Sequence, residues 1–124
     1  MERFEDLKGK ILSEIKNKDD ELIFTLNTGE KYRLYHEQDC CESVYIEEII
    51  GDLEDLVNTP ILLAEEVVHE PDTTPKGVEP KEVYDDSFLW TFYKLVTISG
   101  AVTIRWLGQS NGYYSESVNF AKAG

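Results

Sequence analysis

Cysteine is nearly absent from this chain: there are two, Cys40 and Cys41, and they are adjacent. Neighbouring cysteines rarely meet disulfide geometry and would close almost no loop, which excludes a secreted scaffold held by disulfides. Long apolar runs are missing too. None approaches the roughly 18 residues needed to span a bilayer, and Met1 to Lys10 is polar where a secretory leader has its apolar stretch, so a cytosolic location without a membrane partner is expected. Basic residues are scarce, 12 Lys and Arg against 25 Asp and Glu, a net charge of −13. That excludes a nucleic-acid binder relying on net basicity. The Walker pattern and the dinucleotide fingerprint are both absent. No residue pattern identifies a reaction, so a non-enzymatic protein without a cofactor is expected.

What is present suits one folded domain over residues 1–124. Hydrophobic residues make up 41% and aromatic residues 11% of the chain, and a chain of this length typically buries about two thirds of its unfolded surface. The charge is uneven. Residues 37–86 hold 16 acidic residues against Lys76 and Lys81, a net of −14, while the other 74 residues sum to +1. One segment therefore carries a strong negative potential, able to steer cations or a basic partner, although plain solubility accounts for acidic surfaces as well.

Hydrophobic residues recur mostly at period two, the signature of strands. Leu22, Phe24 and Leu26 alternate with Ile23, Thr25 and Asn27, and Asn27-Thr28-Gly29-Glu30 turns the chain into Lys31 to His36, a hairpin. Phe88, Trp90, Phe92, Val96 and Ile98 share one parity, and Ser99-Gly100 leads to Val102, Ile104 and Trp106, read as the same face of a second hairpin. Tyr113 to Phe120 is expected to complete a three-stranded meander, with Ala121 to Gly124 fraying. Residues 43–50 and 61–68 read as strands, and 70–86, with Pro71, Pro75 and Pro80, as a mobile loop. Short helices are expected around Phe4 to Leu7 and from the Asp52 cap to Val57. The fold class is thus α+β: about eight mostly antiparallel strands with two short helices.

Phe4-Glu5-Asp6-Leu7, Gly9 and Ile11-Leu12 match Leu53-Glu54-Asp55-Leu56, Asn58 and Ile61-Leu62, while Arg33 and Glu42-Ser43-Val44 match Arg105 and Glu116-Ser117-Val118. Two related halves about a pseudo-twofold axis would explain this, and so would chance between short segments.

Three groups of residues could carry function. His36, Asp39, Cys40 and Cys41 combine metal-ligand types, but they lack the paired spacing of familiar sites. A hydrogen-bonded, partly buried His36 competes with metal ligation. Acidic neighbours oppose thiolate formation, which disfavours cysteine catalysis and favours one packed cysteine with the other at the surface. Glu47, Glu48, Asp52, Glu54 and Asp55 form the acidic surface; on a regular strand Glu47 and Glu48 face opposite sides. The loop Gly108 to Glu116 has the Tyr, Ser, Gly and Asn of a recognition surface. With Arg33 and Arg105, its Asn111, Tyr113 and Tyr114 could line a pocket for a small anion; the competing reading has each arginine paired with a nearby acid.

Tyr35-His36-Glu37-Gln38-Asp39-Cys40-Cys41-Glu42-Ser43-Val44, Gly51-Asp52-Leu53-Glu54-Asp55-Leu56, Pro60-Ile61 and Thr91-Phe92-Tyr93-Lys94-Leu95 resemble a family of small proteins encoded by bacteriophages and prophages, chiefly of Gram-positive hosts. The resemblance brings no catalytic residue. It implies a context, an accessory protein in the host cytosol that modulates host proteins or inhibits host defence. The leading expectation is therefore a binder of a host protein with a basic surface, contacted by Glu47, Glu48, Asp52, Glu54 and Asp55, in its sharpest form as a DNA mimic. The alternative is a binder that sequesters a nucleotide-like signal near Arg33 and Arg105. A metal site at His36 to Cys41 ranks third. An edge strand offers a route to homo-oligomers, which the sequence leaves open.

Overall fold

The computed structural model describes residues 3–78 and 86–123. Among the described residues, eight antiparallel strands form two four-stranded sheets. They are β1 (Leu12–Asn17), β2 (Leu22–Leu26), β3 (Lys31–Tyr35), β4 (Ser43–Ile50), β5 (Leu63–Val68), β6 (Ser87–Thr97), β7 (Gly100–Ser110) and β8 (Asn119–Ala123). The first sheet has the order β1-β2-β3-β8, the second β4-β7-β6-β5. One hydrophobic cluster joins them: Leu12, Leu22, Phe24, Tyr32 and Leu34 from the first sheet meet Tyr93, Leu95, Val102, Ile104 and Trp106 from the second. Phe4 plugs one side, with its ring centroid 4.7 Å from that of Tyr93 and 5.6 Å from that of Phe120.

The fold is mainly β rather than α+β. The two expected helices are single 3-10 turns, Phe4–Leu7 and Leu53–Leu56. Each has room for only one turn, because Gly9 and Asn58 bend the chain away with φ of 86° and 67°, and so short a helix is marginal without tertiary support. Asp52 still caps its turn, its Oδ1 accepting the Glu54 N–H at 3.0 Å. No helix among the described residues is long and apolar enough to cross a membrane.

The second hairpin departs from the expected face. Its two-residue connection pairs Thr97 with Gly100, so Tyr93 pairs with Ile104 and Leu95 with Val102. Odd residues of β6 therefore share a face with even residues of β7. Thr91, Tyr93, Leu95 and Thr97 point into the core, and Phe88, Trp90 and Phe92 point outward beside Arg105 and Leu107. The Tyr113 to Phe120 segment does not extend this hairpin. Only Asn119–Ala123 is a strand, and it pairs with β3 in the other sheet, so Ala121 to Ala123 are held in a ladder and not frayed as expected, while Gly124 lies outside the described residues.

Both halves run in the same order: a 3-10 turn, a three-strand meander, then a strand that crosses to the opposite sheet, β4 beside β7 and β8 beside β3. Where the halves meet, the Gly9 N–H donates to the Ile61 carbonyl and the Asn58 N–H to the Leu12 carbonyl, both at 2.7 Å, flanking an Ile11–Pro60 bridge. The halves differ most in one connection. Residues 18–21 link β1 to β2, whereas residues 69–86 link β5 to β6. Residues 79–85 of the expected mobile loop lie outside the described residues.

Candidate functional site

Residues 69–78, the first part of the long β5–β6 connection, lie over the outer face of the second sheet. His69 and Asp72 tie it down by donating their N–H groups to the Trp90 and Phe88 carbonyls, at 2.9 and 3.0 Å, and Asp72 Oδ1 accepts the Phe88 N–H at 2.9 Å. On that face Trp90 and Leu107 are fully buried although they point away from the main core. Trp90 stacks on Phe92 with centroids 6.5 Å apart. Beside this cluster, a cleft of about 350 Å³ is walled by Ile50, Val67 and Phe92 from the strands and Pro75 and Val78 from the connection; Lys76, Lys94, Thr103 and Arg105 add its polar groups. Strand register explains the grouping, since Arg105 pairs with Phe92, Phe92 with Val67, and Lys94 with Thr103.

Arg105 is held by two neighbouring carboxylates. A bulge between Ile46 and Glu48 lets Glu47 and Glu48 reach the same side of β4 instead of alternating. Arg105 Nη2 donates to Glu47 Oε1 at 2.7 Å and Oε2 at 3.0 Å, and also to Glu48 Oε2. The Glu47 side chain is 7% exposed and that of Arg105 15%, so the pair is largely closed to water. Arg105 Nε is buried without a hydrogen-bond partner among the described residues. Neither Lys76 nor Lys94 has a carboxylate within ion-pair distance among the described residues.

Arg33 occupies the opposite outer face of the sandwich, out of register with the buried Tyr32 and Leu34. It makes two hydrogen bonds with Glu21, at 2.9 and 3.0 Å, and its guanidinium carbon sits 3.9 Å from the Tyr35 ring centroid. The Glu21 hydrogen bond holds its pKa above the usual arginine value, against the effect of burial. The structure does not bring Arg33 and Arg105 to one pocket. Asn111, Tyr113 and Tyr114 lie outside the Arg105 cleft as well. Asn111 Oδ1 accepts the Tyr113 N–H at 2.9 Å, and Tyr113 is 84% exposed with its ring edge-on to Tyr114.

The 36–42 loop is built around one carboxylate. The Glu42 side chain is 0% exposed. Its Oε2 accepts the Asp39 N–H at 2.8 Å and faces His36 Nε2 at 2.8 Å, and its Oε1 accepts the Cys40 N–H at 2.9 Å. Gln38 Nε2 donates to the carbonyls of Glu42 at 2.6 Å and Cys40 at 3.2 Å. Burial opposes the charge on Glu42, but the hydrogen bonds from His36 and the loop amides outweigh it and bring its pKa down to about 2. His36 Nδ1 lies 2.7 Å from the Ser117 carbonyl. Both ring nitrogens thus face oxygen atoms of the protein rather than an open site. The expected hydrogen-bonded, partly buried His36 is what the structure contains. The cysteines depart from expectation. Both are exposed rather than one packed, and they are joined in a disulfide, because the loop bends tightly around Glu42 and leaves residues 40 and 41 at its crest. No group of three or more His, Cys, Asp and Glu is placed to hold a metal among the described residues.

Of the acidic surface, Glu47 and Glu48 are engaged with Arg105, and Asp52 and Glu54 are exposed around the 3-10 turn. Asp55 is half-buried, and its carbonyl accepts the Thr97 hydroxyl. Sequence reading missed the cleft cations Lys76 and Lys94 and the outward Phe92. The available signal was Lys76, one of the two basic residues in the most acidic stretch of the chain.

No curated protein and no solved structure matches the chain. The model of one family, a domain of unknown function (DUF7448), matches residues 5–120, and the chain therefore belongs to the DUF7448 family.

Proposed function

We propose that this protein is a non-catalytic binder of a small, phosphate-bearing organic anion of the nucleotide class, held in the cleft between the β5–β6 connection and the outer face of the second sheet. The observation that carries this reading is the convergence of Lys76 and Lys94, neither within ion-pair distance of a carboxylate among the described residues, on the cleft walled by Phe92 in a chain of net charge −13; Arg105 lines the same cleft but is already held by Glu47 and Glu48. Cations supply partners for phosphate, and the apolar wall of Phe92, Val67 and Ile50 suits a planar base. The volume of about 350 Å³ lies at the lower end of the range for small-ligand sites. The long connection that builds the cleft occurs in only one half of an otherwise repeated order of elements, as expected of a feature added to a scaffold. We read the two halves as related for the same reason: their connectivity and the paired hydrogen bonds where they meet support it.

Titration calorimetry with mononucleotides, cyclic dinucleotides and ADP-ribose tests the proposal. At least one should bind with one site per chain. Lys94→Glu and Lys76→Glu, both on exposed side chains, should each weaken it about tenfold or more, by replacing an attraction with a repulsion. Silence across the panel, or affinity unmoved by both reversals, would overturn this reading.

A second reading, a protein inhibitor acting through its acidic surface, is favoured by the exposed Asp52 and Glu54. In the context that the sequence resemblance to phage-encoded proteins implies, its partner would be a host protein with a basic surface. Reversing both charges should then abolish capture of that partner from host lysate at moderate salt, and capture unchanged by the reversal would remove this surface from the mechanism.

A further inference from the structure

We infer that Cys40 and Cys41 form a surface thiol–disulfide exchange site that reacts faster with cationic than with anionic low-molecular-weight thiols. His36, Gln38 and Glu42 are all spent on holding the backbone: Glu42 takes the Asp39 and Cys40 amides, Gln38 takes the Cys40 and Glu42 carbonyls, and His36 braces Glu42 against the Ser117 carbonyl. None of these bonds involves a sulfur. The scaffold therefore presents the two cysteines at its crest, and both are exposed and joined to each other. A structural cysteine is ordinarily buried and inert, whereas exposure is what exchange with a small thiol requires.

The chemistry balances without further components. A small-molecule thiolate attacks one Sγ, the S–S bond breaks, and the electron pair leaves on the other Sγ, which takes up a proton. A second small thiol attacks the resulting mixed disulfide, releasing the small-molecule disulfide and the remaining cysteine, which is protonated in turn. Two small thiols are oxidised to one disulfide, and the protein disulfide is reduced to a dithiol. The reverse reaction consumes a small-molecule disulfide.

Charge sets the selectivity. Glu37 and Asp39 are exposed on the loop, and no Lys or Arg occurs between Arg33 and Lys76. Glu42 contributes less, because its charge faces His36. A cysteamine thiolate arrives with its ammonium group and no net charge, a mercaptoethanol thiolate carries one negative charge, and a mercaptopropionate thiolate carries two. The acidic loop repels them in that order.

The test is the rate of disulfide reduction by these three thiols, normalised to thiolate concentration and to the same thiols acting on a small neutral disulfide. Alkylation and intact mass are the readout. After equilibration with a small-molecule disulfide, the protein should lose both alkylation sites as a monomer and regain both on reduction. Cysteamine should exceed mercaptopropionate on the order of tenfold at low salt, with the gap shrinking at 1 M salt. Glu37→Gln with Asp39→Asn should narrow it while leaving the disulfide able to form. Two alkylation sites at every redox ratio, or equal normalised rates for the three thiols, would overturn the inference. Cys40→Ser with Cys41→Ser should keep the wild-type thermal midpoint, since the scaffold does not use the sulfurs; a large loss would make the pair structural and also count against it.

Discussion

Arg105→Ala is expected to destabilise the protein by about 3–5 kcal/mol, the usual cost of removing one partner from a buried ion pair. Against a typical domain stability of about 5–15 kcal/mol, that is a large fraction. The cost arises on the partner. With Arg105 gone, the Glu47 carboxylate, 7% exposed, must keep its charge in a place nearly closed to water without its arginine. Glu48 contributes less, since its side chain is about half exposed and solvent can replace the arginine there. The attribution can be checked by removing both charges. Arg105→Met combined with Glu47→Leu should recover much of the loss, because apolar groups of similar volume often serve as well as a buried ion pair. Urea unfolding measures all of these variants. A double variant as unstable as Arg105→Ala would place the cost in lost packing of the arginine stem against Phe92 and not in the carboxylate. Since Arg105 belongs to the framework of the second sheet, the exposed Lys76 and Lys94 are the residues through which binding is tested.

Local pattern made much of this fold legible. Leu22 and Phe24 lie opposite Leu34 and Tyr32, and Leu26 is buried with them, because a two-residue period reports burial when one face of a strand meets the core. Strands β4 and β5 fall where Ser43 to Ile50 and the Ile61 to Val68 run placed them. What could not be read was set by pairing across distance. The face of β6 depends on whether the turn at Ser99-Gly100 pairs Thr97 with Gly100, and one residue decides whether Trp90 or Tyr93 enters the core. Apolar residues on both faces of β6 removed the usual check. The exchange of β4 and β8 between sheets leaves no local trace, since each strand is half-buried whichever neighbour it pairs with. The pattern around the arginines reads correctly as pairing with acids, but not as two separate outer faces. The cleft was hidden for the same reason: Val67, Phe92 and Arg105 become neighbours only through two registers, and Lys76 reaches them only because the connection lies back across the sheet.

Replacing Glu42 by Gln should cause the largest loss of any isosteric change in the 36–42 loop, and the loss should depend on pH with a definite sign. The Glu42 pKa is about 2 in the folded protein against an ordinary 4.5. A depressed carboxylate pKa contributes stability that is complete above the unfolded value and disappears as pH falls through the folded one. The gap between wild type and Glu42→Gln should therefore be constant from neutral pH to about 5, narrow between about 4.5 and 2, and all but close below that. The amide cannot substitute for the carboxylate, because three N–H donors converge on its two oxygens and a Gln side chain would turn its NH2 toward one or more of them. The Asp39 and Cys40 amides should then exchange with solvent about tenfold faster or more, while those of β2 and β3 keep their protection. Urea midpoints between pH 2 and 7, with amide exchange at neutral pH, measure both effects. A gap that stays constant down to pH 2.5 would mean that the folded carboxylate is not held in its charged form by His36 and the loop amides. Unchanged exchange at Asp39 and Cys40 would mean that the loop stands without its hub. If both effects appear, the crest carrying Cys40 and Cys41 owes its shape to a single buried charge that His36 alone faces: the nearest Lys or Arg before it in sequence is Arg33, committed to Glu21, and the nearest after it is Lys76, at the cleft on the second sheet.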